Sequence, residues 1–460
     1  MQEPAQPPLQ TLSDAATYLE GLINRERSPD FAYARLDLQP IEALLEELGR
    51  PQDGLSIIHV AGSKGKGSTC LFAESVLRAL GERVGTFTSP HLESWVERFR
   101  IDGEPVAEAT LVAAVERVRP IVDALRAGPP QTVPSFFDAT TAIALILFSE
   151  AAVDRALVEV GLGGRLDSTN VVDPAVTCIT SIELEHTDKL GPTEADIAWE
   201  KAGILKHGRP VIVGELRPRA QAVVAARAVE VGAPLRLRGD AFDVHARSSP
   251  DQPNAFEFEA REGAVFTAPF TLRAPGAVAA GNAAIAIASI RALGIHGDDA
   301  LREAARKGLS ECELPARIEV LAADPEVIVD AAHTAESARA LASVLEDLSP
   351  GGFDLLLSVS SDKNLDALLD ALLPATRRVW VTCAEPQRSL ASDVLAERLH
   401  ERAPALATRI VENPEEAARR ARAELSPGVR LCATGSIYLA GVARRVLGQG
   451  TPPVDFEPIA

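Results

Sequence analysis

A glycine- and lysine-rich segment near the start of the chain constrains the fold more than any other feature. It directly follows the apolar run LSIIHVA at 55–61, which is typical of a buried strand, and it leads into helical patterning. Glycines let a loop turn so tightly that its amides point at phosphate oxygens, and the following helix adds its positive end. The order of strand, glycine loop and helix therefore predicts a nucleoside triphosphate site. The loop residues are Gly62, Ser63, Lys64, Gly65, Lys66, Gly67, Ser68 and Thr69.

Lys66 is the candidate for a point charge on the β- and γ-phosphates, and Ser68 or Thr69 offers a hydroxyl to a metal ion. The spacing departs from the common pattern G-x-x-x-x-G-K-[ST], because Gly67 separates Lys66 from Ser68. A glycine-rich turn with an incidental lysine is the alternative interpretation. The loop by itself indicates triphosphate binding and leaves the reaction open.

Short apolar runs alternate with helical patterns along most of the chain, which predicts an α/β fold with a parallel sheet covered on both faces. We expect a first domain over 1–297 with an antiparallel insert near 234–272, where short alternating segments such as AFEFEA replace this rhythm. The alternation restarts after Gly297 and predicts a second α/β domain over 298–460. Residues 1–10 and 448–460 are expected to form a loose arm and a tail.

Composition excludes several classes of function. Lys and Arg total 46 against 65 Asp and Glu, a formal charge of −19 that disfavours general nucleic-acid binding. The five cysteines are scattered, which is typical of reduced thiols in a cytoplasmic protein. No signal peptide and no apolar run long enough to cross a membrane is visible. We therefore expect small-molecule substrates, no nucleic-acid or membrane partner, and a monomer.

Three charged or titratable side chains are candidates for metal chemistry. Glu159 lies at the end of one predicted strand and His186 follows another, at the carboxyl ends where α/β sheets bind ligands, and each could bind a metal ion. Lys201 shares an apolar helix face with Ile197 and Leu205, so its amine should be buried. A buried lysine must be paired, lose its proton or be modified, and a carbamate would present oxygens to magnesium. An exposed glutamate, a structural histidine and a lysine that reaches the surface are the alternatives.

Taken together, these motifs resemble the folylpolyglutamate synthase/dihydrofolate synthase family of the Mur ligase superfamily. The similarity covers nearly the whole chain and rests on ordered blocks of sequence. The blocks are HVAGSKGKGST at 59–69, TSPHLESWVERFRIDG at 88–103, VEVGLGGRLDSTN at 158–170, EHTDKLG at 185–191, EKAGILKHG at 200–208, LPARIEVL at 314–321, VIVDAAHTAESA at 327–338 and ATGSIYLAG at 433–441.

The resemblance implies an N-terminal P-loop ATPase domain, a smaller Rossmann-like C-terminal domain and a set of site residues. It implies magnesium ligands at Ser89, Glu159, His186 and Lys201, the last as a carbamate. It implies nucleotide contacts at Asn282, Arg317 and Asp330. It places His333, Ser436 and Arg98 near the incoming glutamate or the reacting carboxylate, with Lys66, Glu159, His186, Lys201 and His333 as the catalytic set. Substrate contacts are expected at Phe136, Phe137, Asp138 and Arg165.

The implied reaction is an ATP-dependent ligation of L-glutamate to dihydropteroate, to folate polyglutamates or to both, through an acyl phosphate. The expected cofactors are ATP and Mg²⁺, with two ions and a possible monovalent cation. Three positions depart from the family pattern: Ser63-Lys64, Thr334 and Asp138. A related ligase for a different carboxylate and a non-catalytic nucleotide-binding regulator are the alternative functions.

Overall fold

The computed structural model describes residues 7–24, 33, 36–247, 254–262, 266–273, 275–323 and 326–448 of the 460-residue chain. Most of the predicted tail, and the first six residues of the predicted arm, lie outside these ranges. The chain divides into two compact units. Unit 1 comprises residues 1–273 and 277–312, and unit 2 comprises residues 274–276 and 313–460.

An eight-stranded sheet forms the centre of unit 1. Its strands run in the order β4-β3-β2-β5-β1-β6-β7-β8. The pairs are parallel from β2 to β8, whereas β3 and β4 add an antiparallel edge. The strands are β1 (Ile57–Ala61), β2 (Val84–Phe87), β3 (Phe99–Ile101), β4 (Glu104–Pro105), β5 (Arg155–Glu159), β6 (Val176–Ile179), β7 (Val211–Val213) and β8 (Leu235–Leu237).

Helices cover both faces of this sheet, as expected when apolar strands are buried on two sides. Ile57 of β1 packs in a core cluster with helices α1, α2, α4 and α5, while Ala61 belongs to a second cluster with α7 and α8. On the opposite face, Cys178 of β6 contacts Ser289 of α9 at 2.9 Å. The helices are α1 (Leu12–Glu20), α2 (Gln39–Glu47), α3 (Lys66–Ala79), α4 (Glu108–Arg126), α5 (Phe136–Glu150), α6 (Thr187–Leu190), α7 (Glu194–Lys201), α8 (Pro218–Val231), α9 (Ala277–Leu293) and α10 (Asp298–Glu311).

A small antiparallel sheet occupies most of the segment where the alternating pattern predicted one. It consists of β9 (Phe242–Ala246), β10 (Ala255–Ala260) and β11 (Phe266–Thr271), in the order β11-β10-β9. Residues 235–237 differ from the expectation, because they pair with β7 and join the large parallel sheet.

The compact units divide between residues 312 and 313, whereas strand–helix alternation predicts a domain boundary between 297 and 298. Helix α10 accounts for the difference, because it packs within unit 1. The Ser75 hydroxyl of α3 donates to the Gly308 carbonyl at 2.7 Å, and Arg302 lies over the Phe266 ring of β11. Strand–helix alternation cannot reveal which sheet a connecting helix packs against.

Unit 2 contains a six-stranded sheet in the order β12-β13-β17-β14-β15-β16, with only β12 antiparallel to its neighbour. The strands are β12 (Glu319–Ala323), β13 (Glu326–Val329), β14 (Phe353–Leu357), β15 (Thr376–Val381), β16 (Ala407–Ile410) and β17 (Leu431–Thr434). The helices are α11 (Ala335–Leu348), α12 (Leu365–Leu372), α13 (Ser392–Arg402), α14 (Pro414–Ala423) and α15 (Ile437–Leu447). The α/β class and the parallel-rich sheets agree with the fold predicted from the sequence.

Within the described part of the chain, no helix has the length and apolar character needed to cross a membrane.

The close approach of α10 to α3 yields a stability prediction. A β-carbon added at Gly308 would lie 2.6 Å from the backbone oxygen of Ser75, so Gly308→Ala must push the two helices apart. We expect a loss of about 1–3 kcal/mol in the free energy of unfolding, measured by urea denaturation. Gly54→Ala is the control, because a β-carbon there meets no atom within 4 Å. Equal stability of Gly308→Ala and the parent protein would contradict this packing.

Candidate active site

The glycine-rich loop connects β1 to α3 in the middle of the large sheet, as the sequence predicted. Helix α3 begins at Lys66, and its N-cap Gly65 has a left-handed φ of +83°, which glycine adopts without steric cost. The first amides of α3 have no partners within the helix, and they lie next to the loop. Strand, loop and helix thus have the arrangement that binds phosphate in other proteins.

Hydrogen bonds attach the loop to the segment that follows β6. The Ser63 amide donates to the Ser181 carbonyl at 2.8 Å, and the Lys64 amide donates to the Ser181 hydroxyl at 2.9 Å. The Thr180 hydroxyl donates to the Lys64 carbonyl at 2.5 Å. Because β6 is the parallel neighbour of β1, the loop is held by residues far away in the sequence.

The amines of Lys64, Lys66 and Lys201 lie close together at this loop, and the Glu185 carboxylate lies near them. Glu185 lies 2.9 Å from the Lys64 amine and 3.8 Å from the Lys201 amine. Burial by itself would raise the pKa of Glu185, but the charges of Lys64, Lys66 and Lys201 outweigh it and lower the pKa to about 2. Glu185 is not among the site residues predicted from the sequence, although its position beside His186 after a strand is a signal for it.

Lys201 is buried, as its apolar helix face predicted. Its side chain is 3% exposed, and Ile197 and Leu205 on the same stripe are also buried. Helix α7 begins with the predicted cap, in which Thr193 and Asp196 bond to each other's backbone amides, but it ends at Lys201, short of residue 206. The Lys201 amine donates to the Gly62 carbonyl at 2.9 Å. Burial, assisted by the nearby charge of Lys66, lowers the pKa of Lys201 to about 7.

The expected metal ligands Ser89 and Glu159 lie beside the loop. Glu159 ends β5 and is buried, and one of its carboxylate oxygens accepts a hydrogen bond from the Ser89 amide at 3.0 Å. A β-carbon at Gly67 would lie 3.3 Å from the same carboxylate, so this glycine lets the loop approach Glu159. His186 precedes α6 with a left-handed φ of 49° and is the next residue after Glu185.

The donor types at this edge of the sheet suit magnesium. Among the described residues, no three His, Cys, Asp or Glu side chains form a metal-binding group. The expected set contains only Glu159 and His186 of these types, so the Ser89 hydroxyl and a carbamate on Lys201 would have to complete it. These donors are mainly oxygen atoms, which a hard cation prefers, and the set therefore fits magnesium or manganese.

Asn282 also lies at the loop, although the sequence separation is large. It is buried on α9, and its side-chain oxygen would lie 2.3 Å from a β-carbon added at Gly65. The structure thus brings a residue expected to contact ATP against the N-cap glycine of α3.

Arg98 and Phe136 belong to a compact group with His91 and Trp95. Arg98 is 2% exposed, and its Nε donates to His91 Nδ1 at 3.0 Å. Its guanidinium lies 4.8 Å from the Trp95 ring centroid and 5.4 Å from that of Phe136. These contacts fix the orientation of Arg98 through packing and cation–π attraction.

The neighbouring residues Phe137 and Asp138 contact different parts of unit 1. The Phe137 ring lies against Gly161, where a β-carbon would meet it at 2.5 Å. Ser135 is the N-cap of α5, and Asp138 completes its capping box; the Asp138 carboxylate accepts hydrogen bonds at 2.6 Å from the hydroxyls of both Ser135 and Ser168. Asp138 therefore stabilises the start of α5.

Arg165 lies at the far end of the glycine run that follows Glu159. Its guanidinium stacks on the Trp199 ring at 4.5 Å and pairs with Glu200 at 2.9 Å. Trp199 is half exposed, so the stacked pair lies at the surface of the unit.

A buried network that the sequence analysis missed supports the same glycine run. His59 Nε2 lies 2.8 Å from the Thr169 hydroxyl, which donates to Asp167 at 2.5 Å, and Asp167 accepts from the Leu162 amide at 2.9 Å. Burial raises the pKa of Asp167 to about 6 and lowers that of His59 to about 3. A neutral His59 that donates through Nε2 fits this chain of bonds. A histidine inside an apolar strand was the only sequence signal.

The predicted residues of unit 2 lie at the carboxyl ends of neighbouring strands. Asp330 follows β13, and Ser436 follows the adjacent β17, where it caps α15. His333 precedes α11 and contacts the Ala331 carbonyl at 2.8 Å. Thr334, which departs from the family pattern, is the N-cap of α11 and bonds to Ser337. A helix cap is a role for which threonine is well suited.

Arg317 lies in a strained stretch of backbone. Both of its neighbours, Ala316 and Ile318, have left-handed φ angles of 52° and 51°. This conformation is costly for a β-branched residue. Asp330 holds the stretch, because its carboxylate accepts the Ile318 amide at 2.9 Å. Burial raises the pKa of Asp330, against the opposing effect of Arg317.

The contact between Gly65 and Asn282 predicts a specific loss of nucleotide binding. Gly65→Ala would combine an unfavourable positive φ with a clash against Asn282, so the loop must move. We expect at least a roughly tenfold weaker affinity for a non-hydrolysable ATP analogue, measured by calorimetry.

Gly81→Ala is the matched control, because Gly81 also has a positive φ of +85° but a β-carbon there meets no atom within 4 Å. It should lose about 1–2 kcal/mol of stability and keep its affinity. Full nucleotide affinity in Gly65→Ala would contradict the assigned loop geometry.

Comparisons with known proteins identify the family to which this chain is similar. A family model for the Mur ligase glutamate ligase domain matches residues 316–437. The dihydrofolate synthase/folylpolyglutamate synthase of Mycobacterium tuberculosis is 35% identical over 442 residues, which cover 90% of each chain. The folylpolyglutamate synthase of Lacticaseibacillus casei is 33% identical, over 90% of this chain and 95% of the relative.

Solved structures show the same similarity. M. tuberculosis folylpolyglutamate synthase complexed with ADP and AMPPCP has a TM-score of 0.84 and 32% identity, over 95% of this chain and 98% of that one. E. coli FolC in complex with DHPP and ADP has a TM-score of 0.81 and 30% identity, over 95% and 97%. A bifunctional folylpolyglutamate synthase/dihydrofolate synthase with Mn, AMPPNP and L-glutamate bound has a TM-score of 0.80 and 31% identity, over 95% and 98%. The chain belongs to the folylpolyglutamate synthase/dihydrofolate synthase family of ATP-dependent ligases.

Proposed function

We propose that this protein joins L-glutamate to dihydropteroate, to folate polyglutamates or to both, using ATP. The observation that carries the proposal is the convergence of the phosphate loop, Glu159 and the buried Lys201 at one edge of the sheet in unit 1. Family members that bind ADP, AMPPCP, DHPP or L-glutamate support it.

The chemistry follows from the weakness of a carboxylate as an electrophile. Transfer of the γ-phosphoryl group to the folate-type carboxylate gives an acyl phosphate, in which phosphate is a good leaving group. The glutamate amine then attacks the acyl carbon, and phosphate leaves from the tetrahedral intermediate. The loop amides and Lys66 would stabilise the charge that develops on the transferred phosphoryl group.

We propose that Ser89, Glu159, His186 and carbamylated Lys201 hold two magnesium ions, with a possible monovalent cation nearby. Bound magnesium would neutralise phosphate charge and orient the reacting oxygens. The lowered pKa of Lys201 supports carbamylation, because only a neutral amine attacks carbon dioxide. The new N–C bond forms as the amine loses a proton, and the product presents two oxygens.

The remaining assignments are also proposals. Asn282, Arg317 and Asp330 would contact the nucleotide. His333, Ser436 and Arg98 would contact the incoming glutamate or the reacting carboxylate, and Phe136, Phe137, Asp138 and Arg165 would contact the pterin-bearing substrate. We further propose that the enzyme acts as a cytoplasmic monomer on small molecules, without nucleic-acid or membrane partners.

The proposed function predicts a substrate-dependent release of phosphate. Purified protein with ATP, magnesium and L-glutamate should release phosphate only when dihydropteroate or tetrahydrofolate is added. Side-by-side rates with the two pterins would distinguish the synthase activities. Reactions that lack glutamate are the control. Stimulation by neither pterin would contradict the folate assignment and favour a ligase for a different carboxylate.

Lys201→Met should abolish activity without loss of stability. Methionine fills a similar volume and removes the cost of burying a charge, so activity should fall by about 100-fold or more while stability at pH 7 is equal or higher. The unfolded chain keeps the lysine proton up to about 10.5, whereas the folded protein releases it near 7. Between these pH values the unfolded state therefore binds more protons than the folded state. The free energy of unfolding of the parent protein should then increase, relative to that of the variant, as pH rises.

Urea denaturation at pH 7, 8 and 9 measures this difference, and Lys307→Met, at an exposed lysine of α10, is the control. An active Lys201→Met enzyme would remove the proposed role of Lys201. Electron density extending beyond the lysine nitrogen in a metal-loaded crystal would show the carbamate directly.

A further inference from the structure

Loops from three strands of unit 2 come together at the carboxyl edge of its sheet, and we call them the edge loops. They are residues 358–363 after β14, residues 382–390 after β15, and residues 435–438 at the start of α15. Because all three strands are parallel, their carboxyl ends lie at the same edge, where α/β proteins bind ligands.

Backbone and side-chain hydrogen bonds hold the first two edge loops together. The Ser361 amide donates to the Arg388 carbonyl at 2.8 Å, and the Leu390 amide donates to the Val359 carbonyl at 2.8 Å. The Ser358 hydroxyl also donates to the Ser389 hydroxyl at 3.3 Å. The backbone of Arg388 is therefore fixed on both sides and does not belong to a loosely attached loop.

The Arg388 side chain reaches the third edge loop. Its Nη1 donates to the Tyr438 hydroxyl at 2.6 Å, and its guanidinium carbon lies 5.8 Å from the Tyr438 ring centroid. Tyr438 is in the first turn of α15, two residues after the cap Ser436. The guanidinium therefore lies next to the positive end of a helix and next to a residue already expected near glutamate.

Many arginines of unit 2 pair with a described carboxylate, and Arg388 does not. Arg378 pairs with Asp354, and Arg444 pairs with Glu319 at 2.8 Å. No described carboxylate lies within ion-pair distance of Arg388. The charge of Arg388 is felt by Asp362, but Asp362 is paired with Lys363 at 2.7 Å. In a chain with a formal charge of −19, an oriented guanidinium without an acidic partner indicates an external anion.

We propose that Arg388, positioned by Tyr438, binds a carboxylate of a glutamyl group, either on the incoming L-glutamate or on the glutamyl tail of the folate substrate. A guanidinium fork matches the two oxygens of a carboxylate, and a second donor remains after one nitrogen has bonded to Tyr438. This inference rests on the proposed function and adds a residue that determines substrate specificity.

The test uses steady-state kinetics of the full-length enzyme. Arg388→Gln should raise the KM for L-glutamate, or the KM for a folate diglutamate, by roughly 10- to 100-fold, as expected for loss of a charged hydrogen bond. The KM for ATP and the kcat at saturating substrate should change little. A rise confined to the KM for L-glutamate, measured with dihydropteroate because it has no glutamyl tail, identifies the incoming amino acid as the ligand. A rise confined to the KM for the diglutamate identifies the tail.

Further variants separate binding from folding. Tyr438→Phe keeps the ring but removes the acceptor for Arg388, and it should raise the same KM by a smaller factor. Arg388→Lys keeps the charge but loses the planar fork, so it should recover only part of the affinity. Arg398→Gln, at an exposed arginine on α13 that pairs with Glu401, is the control and should leave every kinetic constant unchanged.

Two results would overturn the inference. One is an Arg388→Gln enzyme whose KM values for glutamate and for the diglutamate match those of the parent. The other is a rise in the KM for ATP alone, which would make Arg388 a phosphate ligand. If the parent enzyme itself does not consume glutamate with either pterin, the proposed function fails, and the inference fails with it for that separate reason.

Discussion

The concentration of positive charge at the phosphate loop is the constraint on which the rest of unit 1 depends. The amines of Lys66 and Lys201 both donate to the Gly62 carbonyl, at 3.1 and 2.9 Å. Like charges so close together repel, and burial increases the cost. Glu185 offsets this repulsion by facing Lys64 and Lys201. Burial, and after it the charge of Lys66, nevertheless lowers the pKa of Lys201. The same arrangement prepares the loop for an anionic ligand and leaves one amine able to react.

The parallel sheet explains why these groups meet. Strand β1 lies between β5 and β6, so the carboxyl ends of all three strands reach the same edge. The loop follows β1, Glu159 ends β5, and the segment leading to Glu185 follows β6. Unit 2 repeats this geometry with Asp330 after β13 and Ser436 after β17. Left-handed backbone occurs near this edge in both units. In unit 1 it falls on glycines such as Gly65, which adopt it without steric cost, whereas in unit 2 it falls on Ala316 and Ile318, where it is strained. Strained backbone is typical of sites where a ligand must be held in one position.

Prediction from sequence succeeded where the signal was local. The strand, loop and helix around Gly62–Thr69, the capped start of α7 and the buried face of Lys201 all depend on residues a few positions apart. Contacts that depend on distant partners were not predicted. Strand β8 joined the large sheet, α10 packed against α3, and Ser168 donates to the Asp138 carboxylate. Periodicity shows that a face is buried, but it does not identify the surface that covers it.

The amino-acid sequence by itself determined the α/β class, the phosphate loop and the presence of a lysine on an apolar helix face, because each is encoded in spacing along a short segment. The tertiary structure alone decided that Asn282 lies against Gly65, that Glu185 faces the lysines and that Arg388 reaches Tyr438. These contacts join residues separated by tens to hundreds of positions. Only the pairing of strands and the packing of helices bring such residues within bonding distance, and short-range patterns contain no information about either.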